Sequence, residues 1–208
     1  MIPNKVIGVS GVAGSGKDLF FTLLSKLKKC RKLSIASALK DEVAPWTIQH
    51  YGVDASNCSR EEKELIRPFL VFHANIKRGQ SQGRHWIEIL NKKIKNLKLQ
   101  PDEILIITDI RFDHYATDEV FWLKKELNGI LVHISNFCKV DSGNSLPPVI
   151  IEKTGANDSE KTNDPKLKAA ADHCIKWEFM QKPKAETHKT LTEKHVEPFA
   201  KKYLDSIE

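Results

Sequence analysis

The feature that most constrains this chain is a glycine loop near its start, Gly11-Val12-Ala13-Gly14-Ser15-Gly16-Lys17. Before it, Lys5 to Ser10 carries the apolar Val6, Ile7 and Val9 and reads as a strand. After it, Leu19, Phe20, Leu23, Leu24 and Leu27 recur at helical spacing. Strand, glycine loop, lysine and helix in that order are the context of a P-loop. The glycines let backbone N–H groups wrap phosphate oxygens without side-chain clashes, and the helix presents its positive end to them. Lys17 would reach the β and γ phosphates of ATP, where charge builds up during transfer. One position departs from the general pattern. Asp18 stands where Ser or Thr usually ligates Mg²⁺, so metal binding is expected through Asp18, through Asp109 or through water.

The rest of the chain alternates strand and helix patterns, which predicts a three-layer α/β sandwich around a parallel sheet of about five strands. Leu33 to Ala36 reads as a second strand, and a helix is expected from about Ala38 to Tyr51. After the polar break Gly52–Cys58, Ser59-Arg60-Glu61-Glu62 has the form of a capping box. The helix it opens carries Leu65, Ile66, Phe69, Leu70 and Ile76, and Pro68 is expected to kink it or begin a new one. Another helix spans about His85 to Leu97. Glu103 to Thr108 is an apolar run ending at Asp109, as a buried parallel strand should be. A helix over about Ala116–Leu127 and a strand over Ile130–Ser135 follow. Residues 137–164 lose periodicity, and a loop that long reads as a lid. Cys174–Trp177 is a candidate fifth strand, and Leu191–Ile207 a closing helix. All 208 residues form a single domain in this reading, with positions 37–100 as its helical acceptor-binding region.

Charge narrows the partners. The net charge of +6 comes from 33 basic against 27 acidic residues. No RGG repeat, basic tail or aromatic-interleaved basic strand accompanies it, so a nucleic-acid partner is disfavoured and an anionic small substrate explains a basic pocket equally well. No apolar run is long enough to span a bilayer. The strand pattern begins too early to leave room for a signal peptide, and Cys30, Cys58, Cys138 and Cys174 stand alone; both features lead us to expect a cytoplasmic protein.

Six arginines, Arg31, Arg60, Arg67, Arg78, Arg84 and Arg111, all precede residue 112. On a continuous helix Arg67 and Arg78 would lie within roughly 20° of each other. Arginine favours bidentate phosphate recognition, so the cluster suggests that a second phosphorylated molecule docks there, with Arg84 contributing from the turn beyond. Lys40 begins the helix after the second strand and would neutralise the acceptor phosphate; a surface lysine is the alternative. Asp109, at the end of a buried strand, is placed to hold magnesium or its water, or merely to cap the next helix. Arg111 would point the same way and fork onto a phosphate. Trp86 is expected in the core. His50, His73, His114 and His133 show no ligand spacing.

Gly14-Ser15-Gly16-Lys17-Asp18, Ala38-Leu39-Lys40-Asp41, Arg67 to Leu70 with Arg84 and Trp86, Asp109-Ile110-Arg111-Phe112-Asp113-His114 and Asn163-Asp164 fall in an order that resembles the bacteriophage-type deoxynucleoside monophosphate kinases. The resemblance implies transfer of the γ phosphate of ATP to a deoxynucleoside monophosphate, with Mg²⁺. It implies that Lys17 and the loop hold ATP, that Asp109 and Arg111 serve the reacting phosphates, and that Lys40, Arg67 and Arg84 face the monophosphate. Animal-type phosphomevalonate kinases share the P-loop ending and the Asp-x-Arg segment. Against them, Phe72 occupies the place of an acceptor-binding arginine and 137–164 contains no arginine. The missing lid arginine also departs from the nucleotide kinases; Lys139, Lys153 or Arg78 could substitute. A nucleotide-dependent switch or nucleic-acid-bound ATPase is the remaining alternative, and a homodimer is left open.

Overall fold

The computed structural model describes residues 5–140, 149–178 and 185–204. The element order is β1 (Val6–Ser10), α1 (Lys17–Leu27), β2 (Cys30–Ser34), α2 (Ile35–Tyr51), α3 (Arg60–Ser81), α4 (Arg84–Asn96), β3 (Ile104–Ile110), α5 (Glu119–Phe121), β4 (Ile130–Val140), β5 (Val149–Glu152), α6 (Asp158–Ala170), β6 (His173–Glu178), α7 (Ala185–Leu191) and α8 (Glu197–Tyr203). Single π-helical turns, Trp122–Glu126 and Thr192–Val196, continue α5 and join α7 to α8.

Five strands are parallel, in the order β2-β3-β1-β4-β6. Their residues alternate between two helical layers. Leu105 and Ile107 face α2 and α4, packing with Ile35, Trp86, Ile87 and Leu90. Ile7, Val9, Ile104 and Ile106 face the opposite way, onto Phe20, Leu23 and Leu24 of α1 and Phe199 of α8. A smaller cluster, Val43, Val53, Ile66 and Leu70, joins α2 to α3. The three-layer α/β sandwich is therefore present. Among the described residues no helix is long and apolar enough to cross a membrane, and the four cysteines are free.

Several boundaries differ from the sequence reading for identifiable reasons. Helix α3 runs unbroken through Pro68, which is exposed, so water can serve the Glu64 carbonyl that proline leaves without a donor. Its capping box is present: Ser59 Oγ accepts from the Glu62 amide and Glu62 Oε2 from the Ser59 amide. The expected helix from Ala116 is mostly the π turn Trp122–Glu126 after only three α-helical residues.

The largest difference concerns 137–164, of which 141–148 lie outside the described residues. Strand β4 continues to Val140, β5 pairs antiparallel with its extension, and α6 begins at Asp158 behind an Asn157 cap. A four-residue strand behind Pro147-Pro148, and a largely polar helix that contains Pro165, give no clear periodicity. The position of β5 matters. Phe137 pairs with Glu178 of β6 and with Glu152 of β5, so the two strands occupy opposite edges of β4. That leaves β5 on the edge β1 uses lower down, directly beyond the end of β1 where the glycine loop begins.

Candidate active site

Strand β1 lies between β3 and β4, while the chain leaving it crosses β3 to reach β2 at the sheet edge. The loops after β1 and β3 thus flank a crevice at the carboxyl ends of the strands, where open α/β sheets bind ligands. Gly11 to Gly16 fill one side. Gly14 and Gly16 adopt φ of 73° and 102°, and side chains there would collide with neighbours: a Cβ on Gly14 would lie 2.6 Å from Lys153 Nζ, and one on Gly16 2.7 Å from the Trp177 ring. The loop is tied down from outside as well, since Trp177 Nε1 donates to the Ser15 carbonyl and Asn136 Nδ2 to that of Gly14, each at 2.9 Å. Val12 and Ser15 are buried beneath it, whereas Ala13 is exposed.

Lys17 Nζ donates to the Gly11 and Val12 carbonyls at 2.6 and 2.9 Å. Burial, and then the nearby Arg111, lower its pKa, with Asp109 acting the other way. A cation held under both conditions gains from an arriving anion. Asp18, by contrast, turns outward: its side chain is 87% exposed and pairs with Lys32 at 2.6 Å.

On the other side, Asp109 is nearly buried in left-handed backbone with φ of 66°, a conformation uncommon outside glycine and tolerated best by Asn and Asp. Its Oδ2 accepts from Ser34 Oγ and from the Ala36 amide, both at 2.8 Å, so it caps the start of α2. No hydrogen bond among the described residues involves its other oxygen. Magnesium commonly binds through one or two carboxylates plus substrate phosphates, so this single free oxygen fits the ion while the Lys32-paired Asp18 does not. Among the described residues there is no cluster of three or more His, Cys, Asp or Glu that could hold a metal without a substrate.

Beside Asp109 opens a cavity of about 500 Å³. Its walls include Leu39 and Lys40 of α2, Lys63, Arg67, Leu70, Ala74, Asn75 and Arg78 of α3, Trp86 of α4, Asp109 near the end of β3, and Arg111 and Phe112 just after it. Asn157, Ser159 and Glu160 close it from the start of α6, so part of the expected lid does meet the site. Lys63 has its pKa lowered by burial and then by Lys40, Arg67 and Arg111. Four cations therefore press on one another here. None of the ion pairs among the described residues involves Lys40, Lys63 or Arg111, and Arg67 has only an exposed pair with Glu64. The apolar remainder is enough to hold a ring system.

Not every predicted residue converges here. Arg78 reaches the cavity wall, yet its guanidinium is committed to buried Asp118 and Glu119 at 2.8 and 3.1 Å and stacks on Phe112. Those carboxylates hold the segment after β3 in place: Glu119 accepts from the amides of Arg111 and Phe112, and Asp118 from those of His114 and Tyr115. Burial pushes the Glu119 carboxyl up to about 7, against the pull of Arg78 and the Arg111 amide. The structure places Arg84 away from the cavity, held by Glu88, Glu126 and the Thr117 carbonyl. Phe72 is 65% exposed on the far face of α3, so an arginine there would not reach the pocket. Trp86 is in the core as expected, and one side of it borders the cavity.

Of the three candidates for a missing lid arginine, Lys139 pairs with Glu178, Arg78 with Asp118 and Glu119, and Lys153, which has an interaction of its own, stands over Gly14. Glu152, beside it on β5, is drawn down to about 2 by hydrogen bonds from Lys168 and Lys176, which fastens this strand to α6 and β6. His133, buried in β4, meets Asp164 of α6 at 3.1 Å and so helps seat the same helix. The sequence reading missed Lys63, Asn75, Glu119 and Glu160. Only Lys63 had a local signal, lying four residues before Arg67 on the same helical face.

No family model matches the chain, and no curated protein matches it. Among solved structures it is similar to a shikimate kinase from Acinetobacter baumannii in complex with shikimate, with TM-score 0.44 and 13% identity over 96% of this chain and 95% of that one. It is also similar to TT1252 from Thermus thermophilus, with TM-score 0.43 and 13% identity over 96% and 98%. Likeness this weak carries no argument about family, substrate or reaction, so the function has to be argued from the site itself.

Proposed function

We propose that the chain transfers the γ-phosphoryl group of ATP, held in Gly11–Lys17, to a phosphorylated acceptor in the adjoining cavity, a (deoxy)nucleoside monophosphate. The observation that supports this best is the gathering of Lys40, Lys63, Arg67 and Arg111 around one cavity, three of them without an ion pair among the described residues although Asp109 and Glu160 border the same space. Cations held together in this way gain from an anion placed among them. The volume of about 500 Å³ falls in the range of small-ligand sites, and Trp86, Phe112 and Asn75 supply aromatic surface and an amide suited to a base. A short aliphatic acid such as phosphomevalonate would leave that surface unused.

In this reading Lys17 leaves the Gly11 and Val12 carbonyls for the β and γ oxygens of the donor. Arg111 lies between the two phosphates and binds the group in transit, and Lys153 approaches the donor from the opposite side, across Gly14. The acceptor's own phosphate oxygen is already ionised near neutral pH, so positioning and charge stabilisation dominate and no general base is required. Magnesium would be held through Asp109 and would neutralise donor oxygens.

The test is ADP release measured with each nucleoside monophosphate, with phosphomevalonate, and without any acceptor. Turnover with at least one nucleoside monophosphate is expected. Turnover with phosphomevalonate alone, or hydrolysis that needs nucleic acid and no acceptor, would replace this reading. Inactivity with every acceptor would sink it.

A further inference from the structure

A smaller cavity of about 160 Å³ adjoins the acceptor cavity toward the C-terminal end of α3. Asn75, Arg78 and Phe112 border both spaces, and beyond them lie Gly79, Tyr115 and, from α6, Asn163. Helix α3 serves as a ruler here. Arg67 marks the cationic end, and Asn75 and Gly79 follow at about 12 and 18 Å along the axis. A nucleoside monophosphate passes from charged phosphate to neutral base over a similar length. The walls change in the same direction. Arg78, already matched by Asp118 and Glu119, brings no free charge to the small cavity. Its other side chains offer rings, hydroxyls and amides, which suit a flat neutral group rather than a second phosphate.

Asn163 says what that group must carry. It is 9% exposed, and its Nδ2 donates to the Ser159 carbonyl at 2.8 Å. A carbonyl can only accept, so the orientation of this amide is fixed and Oδ1 is its free end. No hydrogen bond among the described residues involves that oxygen. An acceptor on so buried a side chain is costly unless a donor reaches it. The next residue, Asp164, meets His133 of β4 at 3.1 Å, so Asn163 is presented by a helix seated on the sheet.

We infer that the small cavity receives the outer edge of the acceptor's base, where Asn163 Oδ1 accepts a hydrogen bond from an exocyclic amino group. The inference rests on the acceptor being a nucleoside monophosphate. Asn75, exposed at the junction and without a hydrogen bond among the described residues, offers the same edge a second amide. Selection among bases then comes from α6 as well as α3: guanine, adenine and cytosine carry an amino group, whereas thymine and uracil do not.

The test is kcat/KM for pairs of monophosphates that differ only by that group. Deoxyguanosine is set against deoxyinosine monophosphate, deoxyadenosine against purine deoxyriboside monophosphate, and deoxycytidine against pyrimidinone deoxyriboside monophosphate. In an accepted pair the amino member should be favoured about tenfold, the scale of one hydrogen bond to a buried group. Asn163→Ala should abolish that preference with KM for ATP unaltered. Gly79→Leu narrows the cavity from α3 instead. A Cβ there meets nothing within 4 Å and leucine suits a helix better than glycine, so this variant should melt no lower than its parent. It should nevertheless raise the acceptor KM about tenfold. Equal turnover within every accepted pair, a preference that survives Asn163→Ala, or turnover confined to thymine and uracil nucleotides would overturn the inference and leave the acceptor reading standing. Turnover with no monophosphate would overturn both.

Discussion

Lys63 and Arg84 carry the same charge, on neighbouring helices, in opposite circumstances. Arg84 is answered by Glu88 and Glu126 and by a carbonyl, and Arg78 by two buried carboxylates. Lys63, Lys40 and Arg111 face one another across a cavity with no carboxylate at ion-pair distance among the described residues. Basic residues clustered in sequence thus divide into two populations with different work. Matched cations hold the chain to itself, whereas unmatched ones await something from outside. A guanidinium is no guide to which group it joins; its partners are.

That division predicts where each substitution will be felt. The largest effect is expected for Arg78→Met. It removes the guanidinium that Asp118 and Glu119 share in the interior, a loss of about 3–5 kcal/mol of stability, read by chemical denaturation. If unfolding is unchanged, Arg78 belongs with the unmatched group. Lys17→Met should leave the fold intact and lower kcat by about a hundredfold to a thousandfold, the scale of one lost charge-stabilising donor. Full turnover in that variant would remove the P-loop from the mechanism. Lys63→Met should raise the acceptor KM about tenfold to a hundredfold, with KM for ATP little altered. It should also raise the melting temperature slightly by relieving repulsion; a lower melting temperature would break the comparison. Arg84→Met is expected to cost no more than about 1 kcal/mol of stability and nothing in kcat or KM, because its partners are partly exposed. A kinetic defect there would return Arg84 to the acceptor site.

Local chemistry was the part of this molecule legible in advance. The glycine loop, the buried strand that carries Asp109 near its end and the capping box at Ser59 each depend on residues a few positions apart; the loop and the box are where the spacing put them, and the strand runs one residue past Asp109. The matching of charges was not legible, because Arg78 meets Asp118 forty residues later and Arg84 meets Glu126 forty-two residues later. Nothing local marks those pairs. The β5 strand escaped for a related reason: four residues show little periodicity, and their alignment comes from β4. With β5 unseen, Lys153 could be named only as one of three candidates for the lid cation.

Asp109 holds a constraint that reaches into the protein's history. Its backbone accepts few residues besides Gly, Asn and Asp, and its side chain must accept the hydrogen bonds that begin α2. Asparagine satisfies both demands, and one base change in a codon converts aspartate into it. The product would fold, melt like its parent and bind nucleotide, but without the negative charge proposed to hold the metal it would be slow or silent in transfer. A lineage could therefore pass from catalyst to nucleotide sensor in a single inherited step, and Asp109→Asn, assayed for both melting and turnover, would show whether that door is open.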